Sequence, residues 1–200
     1  YFSQEEGWTN YNVEDELSRD SIYLDIARLA YDPNTNTTWF GSWGQGVIEF
    51  RDGEIVRNYT SQNSGLPGSQ TISGSPETRV SGLAVDAAGN LWICSILADK
   101  ELTVLTADGE FYSYDLPGSN PVGILIDDWN NKWIINNGQG LTVFNENGTF
   151  DNIADDDRAS VTTVNGSGGL PSGNVYALEK DLNGHIWIGS LEGISVIANP

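Results

Sequence analysis

Short runs of apolar and polar residues recur along this chain in a fixed order, and a tryptophan-centred motif marks each recurrence. The motif occurs four times, as TTWFGS, NLWICS, NKWIIN and HIWIGS. Its tryptophans are Trp39, Trp92, Trp133 and Trp187, so successive copies lie 41 to 54 residues apart. A unit that recurs every ~40–50 residues is typical of a propeller or solenoid, because a single repeat cannot bury its apolar faces alone.

The pattern within each repeat predicts several short strands. An apolar first strand, at residues 26–31, 80–85, 122–126 and 175–178, leads into a turn that begins with aspartate. These aspartates are Asp32, Asp86, Asp127 and Asp181. An Asp side chain at such a position can accept hydrogen bonds from the backbone of its own turn. The tryptophan strand follows, and a third strand alternates with period two at residues 47–50, 102–105, 141–144 and 194–197.

Hairpin signals complete each unit. Asp-Gly or Asn-Gly pairs follow the third strand at residues 52–53, 108–109 and 147–148, and such pairs between apolar runs indicate tight turns. The outer strand that each pair opens is predicted to end near Tyr59, Tyr114 or Ile153. The unit is a four-stranded antiparallel meander, which is the blade of a β-propeller, so the predicted fold class is all-β. The repeats are expected at about 22–60, 79–116, 120–153 and 173–197.

The two ends of the chain leave two sizes of propeller open. The last repeat stops at Pro200 without an outer strand, whereas residues 7–12 resemble an outer strand with no blade before it. In a closed ring that segment would complete the last blade, and in a larger propeller it would finish a preceding one. Because four blades are the lower limit for closure, we expect this chain to be part of a larger propeller. Its start at Tyr1 and its lack of methionine fit a mature or excised piece.

The charge of the chain restricts its partners. A net charge of −19 disfavours nucleic acid, because few side chains could neutralise phosphates, and it also disfavours adsorption to anionic membranes. No segment approaches the ~20 apolar residues of a membrane span. The single cysteine excludes an intramolecular disulfide.

Neither the lone histidine nor the lone cysteine predicts catalysis. The repeat position of His185 is held elsewhere by Thr37, Asn90 and Asn131. A residue that is interchangeable with Asn and Thr is expected to serve the turn. Cys94 follows the strand tryptophan and is expected to pack inward as a small apolar residue. No nucleophile–base pair and no paired carboxylates converge, so we expect a protein that is not an enzyme and that holds no cofactor or metal.

One acidic run is a candidate for calcium, which binds several oxygen ligands. The run consists of Asp155, Asp156 and Asp157. It lacks the glycine and the glutamate of an EF-hand loop, so a solvated acidic turn is the better interpretation.

Loop residues that are not repeated are the candidates for binding, since residues present in every blade are explained by packing. Trp43 lies in the loop between the second and third strands, which shares a propeller face with the long connections at 61–78 and 154–173. An aromatic side chain with amides and charges suits a sugar or a peptide. We expect a ligand site at one end of the central channel, formed by Trp43, Gln45, Lys100, Asn137, Gln139 and Glu192. Trp129, in the first turn of its repeat and on the opposite face, ranks below Trp43.

The last repeat resembles the two-component regulator propeller family. The segment LPSGNVYALEKDLNGHIWIGSLEGISVI carries the elements of the family repeat. The matching residues are Leu170, Pro171, Val175, Asp181, Gly184, Trp187, Ile188, Gly189 and Gly193. The repeat at 122–144 departs most, because Asn130 and Asn131 replace the turn glycine. The resemblance extends over nearly the whole chain and implies a propeller fold.

The resemblance implies two functional settings, mainly in Bacteroidetes. One is a propeller component of the type IX secretion system, which is exported to the cell surface, and residues 31–60 and the closing GISVIANP are similar to it. It implies secretion-system or outer-membrane proteins as partners, surface polysaccharide as a further partner, and a periplasmic or cell-surface location. The other is the periplasmic sensor region of hybrid two-component regulators, which recognises glycan fragments. We favour the first, and a propeller lyase or glycosidase ranks third.

Overall fold

The structure, a computed structural model, describes residues 2–3, 7–9, 25–70, 77–116, 120–198 and 200. Within those ranges the chain forms seventeen β-strands, and no helix there is long and apolar enough to cross a membrane. β1 (Phe2–Ser3) and β2 (Gly7–Trp8) pair as a small antiparallel ribbon. The other strands form four sheets that follow one another along the chain.

Each sheet is one blade of a β-propeller, with consecutive strands paired antiparallel. Blade I consists of β3 (Ile26–Asp32), β4 (Thr37–Ser42), β5 (Val47–Arg51) and β6 (Glu54–Tyr59). Blade II consists of β7 (Val80–Val85), β8 (Leu91–Ser95), β9 (Leu102–Leu105) and β10 (Phe111–Tyr114). Blade III consists of β11 (Pro121–Ile126), β12 (Lys132–Asn136), β13 (Gly140–Asn145) and β14 (Asp157–Val161). Blade IV has the three strands β15 (Val175–Lys180), β16 (Ile186–Ser190) and β17 (Gly193–Ile197). The predicted all-β propeller fold is confirmed.

The outer strand of blade III lies further along the chain than the sequence pattern predicts. The expected strand ending near Ile153 is wrong, because β14 begins at Asp157 and ends at Val161. The residues before it form a wide turn, and Thr149 Oγ1 holds that turn by donating to the carboxylate of Asp155 at 2.9 and 3.0 Å. The third repeat therefore extends beyond residue 153, and the connection to blade IV is correspondingly shorter than 154–173.

An aromatic residue in that wide turn explains the error. Phe150 packs against blade II, where its ring stacks on Tyr112 with centroids 5.5 Å apart and lies 6.3 Å from Trp92. A turn residue that packs, partly buried, against a neighbouring blade has the same apolar character as a residue of an outer strand. The sequence pattern does not separate the two cases.

In the N-terminal segment, the two described strands pair with each other. Of the outer strand expected at 7–12, the structure describes 7–9, and β2 pairs there with β1. Blade IV has three strands in the part of the chain that is described. Residues 10–12 of the expected strand, and residues 22–24 of the expected first repeat, lie outside the described residues.

Three apolar clusters join the four blades in order. The cluster between blades I and II contains Val47, Leu83 and Ile93, with Trp39 packed against it. Trp92 lies at the centre of the cluster between blades II and III, and Trp133 belongs to the cluster between blades III and IV. Each of these strand tryptophans thus packs towards the next blade, which is the packing role that its repetition predicts.

In blades II, III and IV the turn aspartate holds the turn and the tryptophan together. One carboxylate oxygen of Asp86 accepts the backbone N–H groups of Ala88 and Asn90, both at 2.9 Å. The other oxygen accepts the side-chain amide of Asn90 at 2.9 Å and Trp92 Nε1–H at 3.0 Å. We call this arrangement the aspartate bridge. It recurs in the pairs Asp127–Trp133, at 2.8 Å, and Asp181–Trp187, at 3.0 Å.

Blades I and IV each present an apolar face to solvent. The open face of blade IV is formed by Trp187, Ile194 and Val196, of which Ile194 is 71% exposed. The open face of blade I is formed by Ile26, Leu29 and Tyr31, each at least 39% exposed. In the blades between them, residues at the same strand positions are buried in the apolar clusters or packed, partly buried, against them.

Arg28 links the inner strands of the first three blades. Each inner strand carries a one-residue bulge, at Ala27, Ser81, Val122 or Tyr176. The guanidinium of Arg28 donates to the carbonyl oxygens of the first three bulge residues, at 2.7, 2.7 and 2.8 Å. A bulge turns its carbonyl away from the strand ladder, so one side chain can reach all three blades.

Candidate functional site

The antiparallel meander gives the propeller two unlike faces. The loop face carries the β4–β5, β8–β9, β12–β13 and β16–β17 loops together with the connections between blades. Backbone hydrogen bonds join the two kinds of segment, for example from Asn137 N–H to the Asn120 carbonyl at 3.0 Å and from Leu191 N–H to the Asn174 carbonyl at 2.9 Å. The opposite turn face carries the aspartate-led turns and the outer hairpins.

The six residues predicted to bind a ligand all lie on the loop face. Trp43 is 41% exposed, and Gln139 and Glu192 are exposed as well. Lys100 Nζ donates to the Ser113 carbonyl at 3.3 Å, while Gln45 pairs with the connection between blades I and II. The six are distributed over the loops of four blades, and none of the hydrogen bonds between described residues joins one of them to another. Their convergence on one ligand remains a prediction.

The Trp43 loop is held rigidly by its own backbone. Ser42 is buried, and its Oγ accepts the backbone N–H of Gln45 at 3.0 Å. Gly46 has φ +78°, and an added Cβ would lie 2.0 Å from the carbonyl oxygen of Tyr59. Only glycine fits there, so the backbone conformation that presents Trp43 to solvent requires Gly46.

Two further apolar side chains on the loop face are exposed, and the sequence pattern does not single them out. Leu97 in the β8–β9 loop is 52% exposed, and Leu191 in the β16–β17 loop is 59% exposed. Leu97 has φ +59°, which is uncommon for leucine, and its carbonyl accepts Gln70 N–H at 2.6 Å. Leucine in a loop and leucine in a strand look alike in sequence, so exposure alone identifies these two residues.

The structure confirms the roles expected for the lone histidine and the lone cysteine. His185 Nδ1 lies 3.2 Å from Oδ2 of Asp181, in the place that Asn90 takes in the aspartate bridge of blade II. Cys94 is fully buried, and burial raises the pKa of its thiol to about 12. A thiol with this pKa is not a nucleophile at neutral pH.

The acidic run in blade III does not form a shared site. Asp155 holds the wide turn, Asp156 lies 3.4 Å from Arg158, and Asp157 accepts from Asn147 Nδ2 at 2.9 Å. The side chain of Asp156 is only 2% exposed, so the expectation of a solvated turn is wrong at that residue, where the chain folds back on blade III. Among the residues that the structure describes, no three His, Cys, Asp or Glu side chains are grouped to hold a metal ion.

Two cavities open on the turn face, opposite the predicted site. The first cavity, of 450 Å³, lies between blades I and II and is lined by Asp32, Trp39, Glu49, Arg51, Tyr59 and Ala88 among others. The second cavity, of 730 Å³, lies between blades II and III and includes Asp86, Asp108, Asp127, Asp128, Glu146 and Lys180. Trp129 is 72% exposed on this same face, as its place in the sequence predicts.

Comparison with known proteins identifies the repeat and the fold. The family model described as two-component regulator propeller matches residues 169–192. A search of curated proteins finds no match.

Among solved structures, the chain is similar to PorZ, a bacterial surface component of the type IX secretion system of Porphyromonas gingivalis, with 23% identity over 86% of this chain and a TM-score of 0.72. It is also similar to virginiamycin B lyase from Staphylococcus aureus, with 17% identity over 88% of this chain and a TM-score of 0.60. A third structure is the extracellular domain of the hybrid two-component system BT3049 from B. thetaiotaomicron, with 20% identity over 88% and a TM-score of 0.53. This chain spans 24% of PorZ, 56% of the lyase and 28% of the sensor domain. At these identities the shared property is the propeller fold.

Proposed function

We propose that this chain is a non-catalytic, extracytoplasmic propeller segment that serves as a recognition and scaffold module in type IX secretion and in the attachment of cargo to the cell surface. The observation that carries the proposal is the loop face, where exposed apolar side chains are presented by loops that differ between the blades. The likeness to PorZ supports the type IX setting. The net charge of −19 is consistent with a module that binds proteins rather than nucleic acid.

The composition of the loop face fits a protein-binding surface. Trp43, Leu97 and Leu191 supply apolar contact area at three separate loops. The polar residues predicted for the site belong to the β4–β5, β8–β9, β12–β13 and β16–β17 loops of this face, namely Gln45, Lys100, Asn137, Gln139 and Glu192. Aromatic and apolar anchors within a polar rim are the usual anatomy of a protein interface.

Two observations favour a role without catalysis. Cysteine and histidine are the titratable side chains most often used as nucleophile or base. Here Cys94 is buried between blades, and His185 is hydrogen-bonded within its turn. The carboxylates of Asp86 and Asp127 accept the hydrogen bonds of their aspartate bridges. A lyase or a glycosidase would need acid and base groups free to reach a substrate.

The open faces of blades I and IV support membership of a larger propeller. Residues at the same strand positions of blades II and III pack against a neighbouring blade, so the exposed Leu29 and Ile194 have the character of interface residues. A further blade at each end would cover them in the same way. We therefore propose that this segment lies within a ring of more than four blades.

The test of the function is Trp43→Ala in the parent protein, with Trp129→Ala as the matched control on the turn face. Because Trp43 is an exposed anchor, we expect at least about tenfold less type IX cargo at the cell surface, with an unfolding midpoint close to that of the parent. Trp129→Ala is expected to leave cargo unchanged. Normal surface cargo in a folded Trp43→Ala protein would contradict the proposed site.

The alternative function is a periplasmic glycan-sensing propeller of a hybrid two-component regulator, which the likeness to the BT3049 domain favours. The two proposals predict different sequences beyond Pro200 in the parent reading frame. A transmembrane helix and then a kinase would establish the sensor, whereas a short β-rich domain together with an upstream signal peptide would support the secretion component.

A further inference from the structure

We propose that the first cavity, between blades I and II on the turn face, is a binding site for a neutral, hydroxyl-rich ligand such as a single hexose unit. It is separate from the loop-face site, and it does not depend on the function proposed above. The cavity volume of 450 Å³ lies within the range of small-molecule sites, which is about 300–1,000 Å³.

Blade I is the one blade of the four that does not close the aspartate bridge. Its turn has one residue more than the others, so the carboxylate of Asp32 accepts from Asn34 N–H at 2.9 Å and from Thr35 Oγ1 at 2.6 Å. The indole Nε1–H of Trp39 donates no hydrogen bond to any described residue, whereas those of Trp92 and its counterparts in blades III and IV bind aspartate. A donor that the repeat normally satisfies is thus free at the wall of a cavity.

The polar groups of this wall are fixed by a continuous hydrogen-bond network. Arg51 Nε donates to Thr37 Oγ1 at 3.0 Å, and Arg51 Nη2 donates to Glu49 Oε1 at 2.6 Å. Tyr59 donates its hydroxyl hydrogen to Glu49 Oε2 at 2.8 Å, and burial together with this bond raises the pKa of Tyr59 to about 12. A network of this kind holds its members in place before a ligand arrives, which lowers the entropy lost on binding.

The opposite wall of the first cavity leaves room for a ligand, because its side chains are small. Blade II contributes small residues there, namely Ala87, Ala88, Gly89, Ala107 and Gly109. An added Cβ at Gly89 would have no heavy atom closer than 3.9 Å. The position of Ala88 in the repeat is held by Trp129 in blade III, so a large side chain is compatible with this turn.

The chemistry of the walls selects the class of ligand. The charges of Glu49 and Arg51 are paired with each other, and the carboxylate of Asp32 already accepts two hydrogen bonds, so a neutral ligand needs no further charge from the walls. The walls still offer carboxylate acceptors and the N–H donors of Arg51 and Trp39. Both kinds of group suit a hydroxyl, which donates and accepts. Trp39, Tyr59 and Leu105 supply an apolar side for the ligand's C–H face.

The second cavity differs from the first in its hydrogen-bond donors and in its charge. The tryptophan donors near it are bound by Asp86 and Asp127, and its rim is dominated by carboxylates. The free donor and the mixed polar wall therefore set the first cavity apart.

The experiment measures binding of glucose, galactose, mannose, N-acetylglucosamine, maltose and cellobiose to the 200-residue chain by saturation-transfer NMR and titration. We expect at least one of these saccharides to bind. Ala88→Trp, which fills the cavity with the residue that blade III carries at that position, should weaken this binding about tenfold or more. Trp39→Phe, which keeps the ring and removes the donor, should weaken it by roughly three- to tenfold.

The matched control is Trp129→Ala on the same face, which should keep the dissociation constant within about twofold. Absence of binding by the whole panel overturns the proposal, as does undiminished binding by folded Ala88→Trp. Binding that is lost in Trp43→Ala but kept in Ala88→Trp also overturns it and places the saccharide on the loop face. Failure of the cavity site leaves the cell-surface cargo test of Trp43→Ala unaffected, so the two proposals fail independently.

Discussion

Trp92 and Trp187 occupy the same position in two blades and have opposite surroundings. Each donates its indole N–H to the turn aspartate of its own blade at 3.0 Å, so the local motif is the same. Trp92 is fully buried between blades II and III, whereas Trp187 is 43% exposed on the open face of blade IV. The aspartate bridge therefore forms within a blade, and burial is supplied by the next blade.

The interface between blades II and III shows what a neighbouring blade adds. From blade III, the ring of Phe144 lies 6.1 Å from the ring of Trp92, and Lys132 Nζ lies 3.9 Å above the Trp92 ring. Lys132 is itself buried and pairs with the carboxylate of Glu146. In a repeat protein of this kind, stability is approximately a sum over blades and over interfaces between neighbours.

The largest expected effect is the difference between Trp92→Ala and Trp187→Ala. Trp92→Ala should lower the free energy of unfolding by about 3–5 kcal/mol, since it leaves a cavity in a closed interface. Trp187→Ala in the 200-residue chain should lower it by less, about 1–2 kcal/mol, because 43% of the Trp187 side chain is already exposed there. Urea unfolding followed by circular dichroism measures both. Equal losses would mean that another part of the protein covers Trp187 in solution.

A smaller difference in stability is expected between variants that break a buried ion pair and a more exposed ion pair. Glu146→Gln removes the carboxylate paired with the buried ammonium of Lys132 and leaves only the charges of Asp86 and Asp127 near it, so it should lower the free energy of unfolding by about 3 kcal/mol. Asp128→Asn removes the partner of the more exposed Lys180 and should change it by about 0–1 kcal/mol. Urea unfolding at pH 7 compares the two variants.

The double variant Lys132→Met/Glu146→Leu sharpens this prediction. It removes both buried charges, so it should recover most of the stability that Glu146→Gln loses. Burial lowers the pKa of Lys132, and the loss in Glu146→Gln should therefore diminish as the pH is raised and the amine becomes neutral. A Glu146→Gln variant as stable as the parent protein would show that the interface does not need the pair.

The smallest effect on stability is expected from the aspartate bridge of blade IV, and it depends on pH. The hydrogen bond from Trp187, with backbone hydrogen bonds from His185 and Asn183, lowers the pKa of Asp181 to about 2. Because the pKa of Asp181 is lower in the folded state than its unfolded value near 4, the ionised carboxylate stabilises the folded protein above about pH 4. This contribution to stability is lost as the pH falls towards 2.

Asp181→Asn tests this dependence. The parent chain should be more stable than the variant at pH 7, and the difference should disappear between about pH 4 and pH 2. Thermal unfolding of both proteins across this range is the measurement. A difference that is constant with pH would show that the Asp181 charge is not used by the bridge.

Much of the fold can be predicted from sequence because the repeat is visible in it. The strand tryptophans and the turn aspartates locate three of the four strands of each blade. The outer strand of blade III is misplaced by the pattern because Phe150 is buried by a neighbouring blade rather than by its own sheet. The reach of Arg28 to two other blades could not be predicted, since the bulges that receive it have no signature in the sequence.

The candidate sites are less predictable than the fold. Trp43 can be identified because its position is not repeated, and the structure shows its exposure. Leu97 and Leu191 cannot, because leucine is common in every strand. The first cavity depends on a single extra residue before Trp39, which an alignment of repeats tolerates as a small irregularity. Only the structure shows that this extra residue leaves the indole N–H of Trp39 without the hydrogen bond to aspartate that the other blades have.

The contacts of Arg28 bear on the curvature of the propeller. The span between Nε and Nη2 of a guanidinium is fixed by covalent geometry, and these two atoms reach the carbonyls of Ser81 in blade II and Val122 in blade III. The angle between successive blades decides how far apart those carbonyls lie. Arg28 can therefore keep both hydrogen bonds only while the inner strands of blades II and III stay close to their present spacing, so it restricts the angle between these blades.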